Sequence, residues 1–357
     1  MGDVPPAPAA EEARKCTVQH EPASREDSGL SITAVIPLYN GSAYIEEALT
    51  SVLAQHHPAD EILVVDDGST DSGPEIVETI ARHAPIRLLR KQNGGQSSAR
   101  NLGIRHATGD LIALLDQDDM WYPDHLAELI QPFLKPRRRK LGWVYSNLDE
   151  VDEQGQMMVH SLLRTLPFYH PKTDIFECLT FDMFVLPSSS LIARSAFEAV
   201  GGFDETLSGY EDDDFFLRVF RAGFDNVFLD LPLTKWRIHT GSSSYSYRMA
   251  QSRMKYIEKL RREFPDNYQR GRIISRDCLV PRFFPLALSD YRLALRSGSP
   301  AQVRQAANQL GFMARLHRPT VRVLISMVMP LLRTPMLGRW TLSMVLAMRP
   351  LALRVLR

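Results

Sequence analysis

The stretch "LLDQDDMW", residues 114–121, places Asp116, Asp118 and Asp119 within four positions, directly after the apolar run "LIALL". "ILVVDDGS" delivers Asp66 and Asp67 behind an apolar run in the same way. Carboxylates this close repel one another, so in a cleft they persist only where hydrogen bonds or a cation offset the repulsion. Oxygen donors without a Cys or His cluster suit Mg²⁺ or Mn²⁺, which use one or two protein carboxylates and fill their shell with substrate phosphates. A metal-bound phosphate ester is the substrate that follows. The alternative is an Asp-rich turn whose side chains cap backbone amides.

A second acidic run, "GYEDDDFFLRVFRAG" (209–223), has Phe215, Phe216, Val219 and Phe220 at helical spacing, which puts Glu211 to Asp214 in the first turn. There they favour the helix dipole, or one of them acts as a general base facing a cleft. "NGGQSSARNLG" is not a standard nucleotide cradle, but the helix start at 95–98 is able to face phosphates. "DGSTDSGPEIVE" has calcium-loop spacing but Ser72 where the turn glycine belongs. A lone histidine, His239, follows a strand-like stretch, with Arg237 and Ser242 nearby suggesting a phosphate-facing loop.

The elements that must position these residues alternate between 31 and 147. "SITAVIP", "EILVVDD", "IRLLRK", "DLIALLD" and "GWVYSN" read as strands, separated by the helical patterns "SAYIEEALTSVLAQ", "PEIVETIARH", "QSSARNLGIRHA" and "PDHLAELIQPFL". Such alternation implies an α/β fold, a doubly wound, mostly parallel sheet flanked by helices, with ligands beyond the carboxyl ends of the strands. That rule puts both acidic strand ends on one rim.

The 357 residues carry 42 basic and 42 acidic side chains, yet the charges are sorted. Residues 247–357 hold 21 Lys and Arg against 5 acids, whereas residues 1–246 hold 21 against 37. Three domains follow: a disordered segment 1–29, an α/β domain 30–246 and a basic helical region 247–357. Cys16, Cys178 and Cys278 are odd in number and scattered, which fits a reducing cytoplasm better than a disulfide framework. No signal-peptide core precedes the first strand and no apolar run approaches the roughly 20 residues that span a bilayer.

Together, "AVIPLYNGSAYIEEALTSVLAQ", "EILVVDDGSTD", "NGGQSSARNLGIRHATGDLIALLDQDDMWYPDHL", "VGGFDETLSGYEDDDFFLRV" and "RIHTGSSS" resemble the successive blocks of family 2 glycosyltransferases of GT-A fold, over residues 31–246. The resemblance implies an inverting transfer of a sugar from a nucleotide diphosphate, by default UDP with dTDP and GDP open, to an acceptor hydroxyl on a glycan or lipid-linked glycan. It implies a donor pocket at Pro37, Tyr39 and Asn40, with Asp67 on the base and Asp116 and Asp118 on ribose and diphosphate. It places Mg²⁺ or Mn²⁺ on Asp118 or Asp119 with His239, and the catalytic base at Asp212. Arg100 pairs with phosphate or makes a structural ion pair. Processive members carry QxxRW and membrane helices; "MLGRW" at 336–340 has Met336 in place of Gln, which favours a single-sugar transferase.

The basic region reads as helices, "RMAQSRMKYIEKLRREF", "SPAQVRQAANQLGFMARL" and "VRVLISMVMPLLR", that either pack conventionally or lie on an anionic membrane surface. A cytoplasmic protein, peripheral at the inner face of the membrane, is the corresponding expectation. Nucleic acid is not expected, because the region has no binding module and few aromatics. Two other functions share the pattern: a metal-dependent nucleotidyltransferase, which needs a phosphate loop that "IPLYNGSAY" does not supply, and an inactive sugar-nucleotide binding protein, which would lack the acids present here.

Overall fold

The computed structural model describes residues 29–239, 247–267, 269, 271, 273–297 and 299–347. Residues 1–28, read above as disordered, and Ser242 lie outside the described residues. The α/β half begins with β1 (Ile32–Leu38), α1 (Ile45–Leu53), β2 (Glu61–Asp66), α2 (Gly73–Ala81), β3 (Ile86–Arg90), α3 (Gln96–His106) and β4 (Leu111–Leu114). It continues through β5 (Met120–Trp121), α4 (His125–Ile130), β6 (Leu141–Val151), β7 (Met157–Val159), α5 (Ile175–Thr180), β8 (Ser190–Ala193), α6 (Arg194–Val200), α7 (Glu211–Arg221) and β9 (Asp225–Arg237).

The sheet runs β3-β2-β1-β4-β8-β6-β9-β5, with β7 hydrogen-bonded to β6. Strands β3, β2, β1 and β4 are parallel, β8 is antiparallel to both β4 and β6, and β9 again lies parallel to β6. The expected mostly parallel α/β sheet is therefore present, with a reversed strand inserted. Every residue of β1 is buried, as a central strand covered on both faces requires. Helix α3 reaches β1 and β2 through Gly103, where a Cβ would stand 2.3 Å from Val35 Cγ1 and 3.1 Å from Val65 Cγ2. The helix expected over "PDHLAELIQPFL" is shorter than its pattern: Pro132 has no amide to donate, and Gln131–Leu134 tightens into a 3₁₀ turn.

The basic region is helical throughout its described elements: α8 (Tyr247–Glu263), α9 (Val280–Ser297), α10 (Pro300–Leu316), α11 (Pro319–Leu332) and α12 (Pro335–Ala347). One hydrophobic core joins the sheet to these helices, including Tyr256 of α8, Phe283 of α9 and Leu310 of α10 beside Phe215 and Phe216 of α7. Cys178 and Cys278 are buried free thiols.

Candidate active site

The strand order turns back at β1, whose neighbours β2 and β4 are reached in opposite directions along the sheet. The crevice beyond the carboxyl ends at such a reversal is where α/β sheets bind ligands. Three loops meet there. The loop after β1 carries Tyr39, about half exposed, and Asn40, held at φ 48°. Gln117 braces it, accepting from Tyr39 N at 2.7 Å and donating to Tyr39 O at 3.1 Å, while Asn40 Oδ1 accepts from Thr70 N at 2.8 Å. Pro37 lies inside β1, buried and in register with Val65.

The loop after β2 presents Asp67, which is almost fully buried. Its Oδ1 accepts from Lys91 Nζ at 2.5 Å and Gly94 N at 2.9 Å, and its Oδ2 from Gly95 N at 2.7 Å. At the helix start read as a phosphate seat, the Gly95 amide is thus occupied by the protein's own carboxylate.

After β4 the three aspartates separate. Asp116 receives both oxygens' worth of contact from Arg100 Nη2, at 2.7 and 3.0 Å, and a further bond from Gln96 Nε2 at 2.8 Å. Asp118 Oδ2 lies 2.8 Å from His239 Nε2; burial raises the Asp118 carboxyl above its ordinary range, and the Asp116 charge adds to the rise. Asp119 is buried and turned away, accepting from Arg237 N at 3.0 Å, with a further bond from Ser188. Burial, then the charges of Asp118 and Asp116, push its carboxyl well up.

Arg237 does not face a phosphate site, contrary to the expectation from its position beside His239. Its guanidinium is buried, donating to Asp118 O at 3.0 Å and Glu153 O at 2.6 Å, pairing with Glu47, and lying 4.7 Å from the Tyr44 ring centroid. It pins the acidic loop to β9.

The acids of α7 divide by helical position. Glu211 accepts from Gly209 N. Asp213 is buried against Met183 N (2.8 Å), Arg282 Nη2 (2.8 Å) and the Tyr256 hydroxyl. Asp214 pairs with Arg218 (2.8 Å) and Lys259 (2.6 Å). Asp212 faces the cleft, its Oδ1 2.7 Å from Arg100 Nη1. Burial raises its carboxyl to about 8 against the opposing pull of Arg100, with Glu211 and Asp116 contributing to the rise.

Arg100, only 1% exposed, therefore bridges an acid following β4 and an acid opening α7, across 16 and 112 positions of sequence. Of the two roles open to it, the ion pair is the arrangement observed. Gln96 and Gln117, which seat these groups, had no sequence signal beyond their place in the motifs, and Ser188 lies outside every motif. The donor set also fits a divalent cation: a carboxylate and an imidazole nitrogen face each other where burial and a neighbouring acid already disfavour negative charge. Among the described residues no group of three or more His, Cys, Asp or Glu is arranged to hold an ion, so substrate oxygens are needed to complete a shell.

These features define a GT-A fold, a mixed, mostly parallel sheet with flanking helices whose acidic rim opens at the chain reversal. Residues 33–201, just under half of the chain, match the family model Glycosyl transferase family 2. An uncharacterized glycosyltransferase of Rickettsia bellii is 33% identical over 218 residues, covering 60% of this chain and 30% of the relative, so the chain spans about a third of that protein's length. Among solved structures, Staphylococcus aureus TarS 1-349 in complex with UDP-GlcNAc has a TM-score of 0.61 at 19% identity, covering 85% of this chain and 86% of that one. The mannosyltransferase PcManGT of Pyrobaculum calidifontis, in complex with GDP-Man and Mn²⁺, has a TM-score of 0.54 at 22% identity, covering 90% and 84%. At these identities the likeness is one of fold.

Proposed function

We propose that the chain is an inverting, metal-dependent glycosyltransferase that moves a single sugar from a UDP-sugar to the hydroxyl of a glycan or lipid-linked glycan. The observation that carries this reading is the convergence on Arg100 of Asp116, from the donor rim, and Asp212, from α7. One guanidinium holds the carboxylate assigned to the donor ribose beside the carboxylate assigned as base.

Asp212 removes the proton from the acceptor hydroxyl, whose oxygen attacks the anomeric carbon while the bond to the diphosphate breaks on the opposite face. A single displacement of this kind inverts the anomer. Tyr39 offers an exposed ring at the rim against which a base stacks, and Asp67 retains an acceptor position on Oδ2 for a base N–H. Asp116 accepts from ribose. Asp118 and His239 hold the cation, with Asp119 as support for the loop; such a cation stabilises the charge gained by the departing diphosphate. Complexes of two proteins of similar fold, UDP-GlcNAc in TarS and GDP-Man with Mn²⁺ in the mannosyltransferase, support a nucleotide-sugar donor and a divalent ion.

Thermal-shift measurements with UDP-, dTDP- and GDP-sugars, with and without Mn²⁺ or Mg²⁺, test the reading directly. Stabilisation by a UDP-sugar that the cation enhances is expected; no stabilisation by any nucleotide sugar would overturn it.

A further inference from the structure

α11 and α12 end the described chain as a helical hairpin whose inner side is seated on α9 and α10. Tyr291 donates to Leu332 O at 2.8 Å, Arg339 Nε donates to Leu295 O at 3.0 Å, and Met329 reaches within 3.0 Å of the position a Gly311 Cβ would take. The outer side is apolar too. Val323, Leu324 and Met327 of α11 and Met336, Leu337 and Trp340 of α12 are between 41% and 81% exposed. Within each helix they recur at spacings of three and four, so each set forms one stripe. Contiguous apolar exposure of this kind marks an interaction surface.

Charge selects the occupant. Arg318, Arg322 and Arg333 flank the stripes and are exposed, and residues 291–357 contain no Asp or Glu at all. A second copy related by a two-fold axis would bring the same patch against itself, arginine facing arginine, with no acid of this region to pair. α11 and α12 have 14 and 13 described residues where about 20 span a bilayer, and no helix among the described residues is long and apolar enough to cross a membrane. Arginine beside exposed Leu, Met and Trp is the composition of a helix that lies in the headgroup interface, where an indole is also favoured.

We propose that the α11–α12 hairpin docks on an anionic lipid surface. Val323, Leu324, Met327, Met336, Leu337 and Trp340 enter the acyl boundary, and Arg318, Arg322 and Arg333 meet lipid phosphates. The inference rests on this surface alone and does not depend on the transferase chemistry. Co-sedimentation of the full chain with vesicles of phosphatidylcholine mixed with phosphatidylglycerol, and with phosphatidylcholine alone, tests it. Binding is expected to the mixed vesicles and to be much weaker to the neutral ones. Arg322→Gln and Arg333→Gln should each weaken binding about fivefold. Met327→Glu with Trp340→Glu should abolish it while leaving the thermal melting of these exposed-site variants close to wild type. Equal affinity for both vesicles, no affinity for either, or a dimer in sedimentation equilibrium that Met327→Glu dissolves would each overturn the proposal.

Discussion

Asp212→Asn is the perturbation with the sharpest consequence. The amide has the size of the carboxylate and its carbonyl still accepts from Arg100 Nη1, which stands at 2.7 Å in the native arrangement, so α7 and the donor rim should keep their geometry. Proton acceptance is lost, together with one negative charge beside Arg100, whose pairing with Asp116 remains. General-base catalysis contributes about 10²–10⁴-fold, which is roughly 3–5 kcal/mol of barrier; kcat should fall by that factor while the donor KM stays near its native value. The native enzyme offers a second reading of the same group. The base works deprotonated, so activity must climb with pH through the carboxyl's pKa. With Asp212 raised to about 8, about a tenth is ionised at pH 7 and about half at pH 8, so kcat/KM for the donor should rise about fivefold over that unit. Initial rates from pH 6 to 9, with donor varied and acceptor fixed, measure both. Near-normal turnover by Asp212→Asn removes it as the base, and a flat profile from pH 6 to 9, as a carboxylate in the ordinary range of about 4 would give, refutes the electrostatic argument.

Three other outcomes are expected. Asp118→Asn and His239→Ala, which separate the facing pair, should abolish the part of UDP-sugar thermal stabilisation that depends on Mn²⁺ and leave the cation-independent part; an unchanged response to Mn²⁺ in both would move the cation elsewhere. Gly103→Ala forces a Cβ to within 2.3 Å of Val35 Cγ1 and should cost about 1–3 kcal/mol, read as a lower urea midpoint; unchanged stability would show that α3 does not need its close approach to β1. Arg282→Met leaves the buried Asp213 without its cation and also removes the partner of the partly exposed Asp182, and should cost about 3–5 kcal/mol in the same measurement; a neutral or stabilising effect would show that well-packed apolar substitution replaces this pair.

The alternating half of the fold was legible because each of its strands and helices is specified by nearby residues: the apolar runs of β1, β2 and β4 and the amphipathic turns between them. The reversed strand β8 was not, since "SLIA" is four residues whose partners in β4 and β6 lie some 80 and 50 positions away. Local pattern also placed the acids of the site at strand ends and at a helix start. It could not say which of them faces the cleft. In "EDDD" all four side chains have similar chemistry, and only the rotation of about 100° per residue along α7 sends Asp213 and Asp214 to basic partners in α7, α8 and α9 and leaves Asp212 in the crevice. The partners themselves, Arg282 and Lys259, belong to the basic region that composition alone had set apart.

The electrostatics of "DQDD" follow from the same long-range placement. Three carboxylates in four residues would repel if they shared one environment, but each is answered from a different element: Asp116 by Arg100 of α3, Asp118 by His239 beyond β9, and Asp119 by the backbone amide of Arg237. Only Asp119 is closed off. Asp116 is held by a guanidinium it shares with Asp212, and Asp118 by an imidazole; in the proposed mechanism Asp116 would exchange an internal contact for a ribose hydroxyl and Asp118 for the cation. Under the proposed function, a divalent ion arriving with the diphosphate would supply the positive charge that lets an acid-rich rim accept a polyanionic ligand.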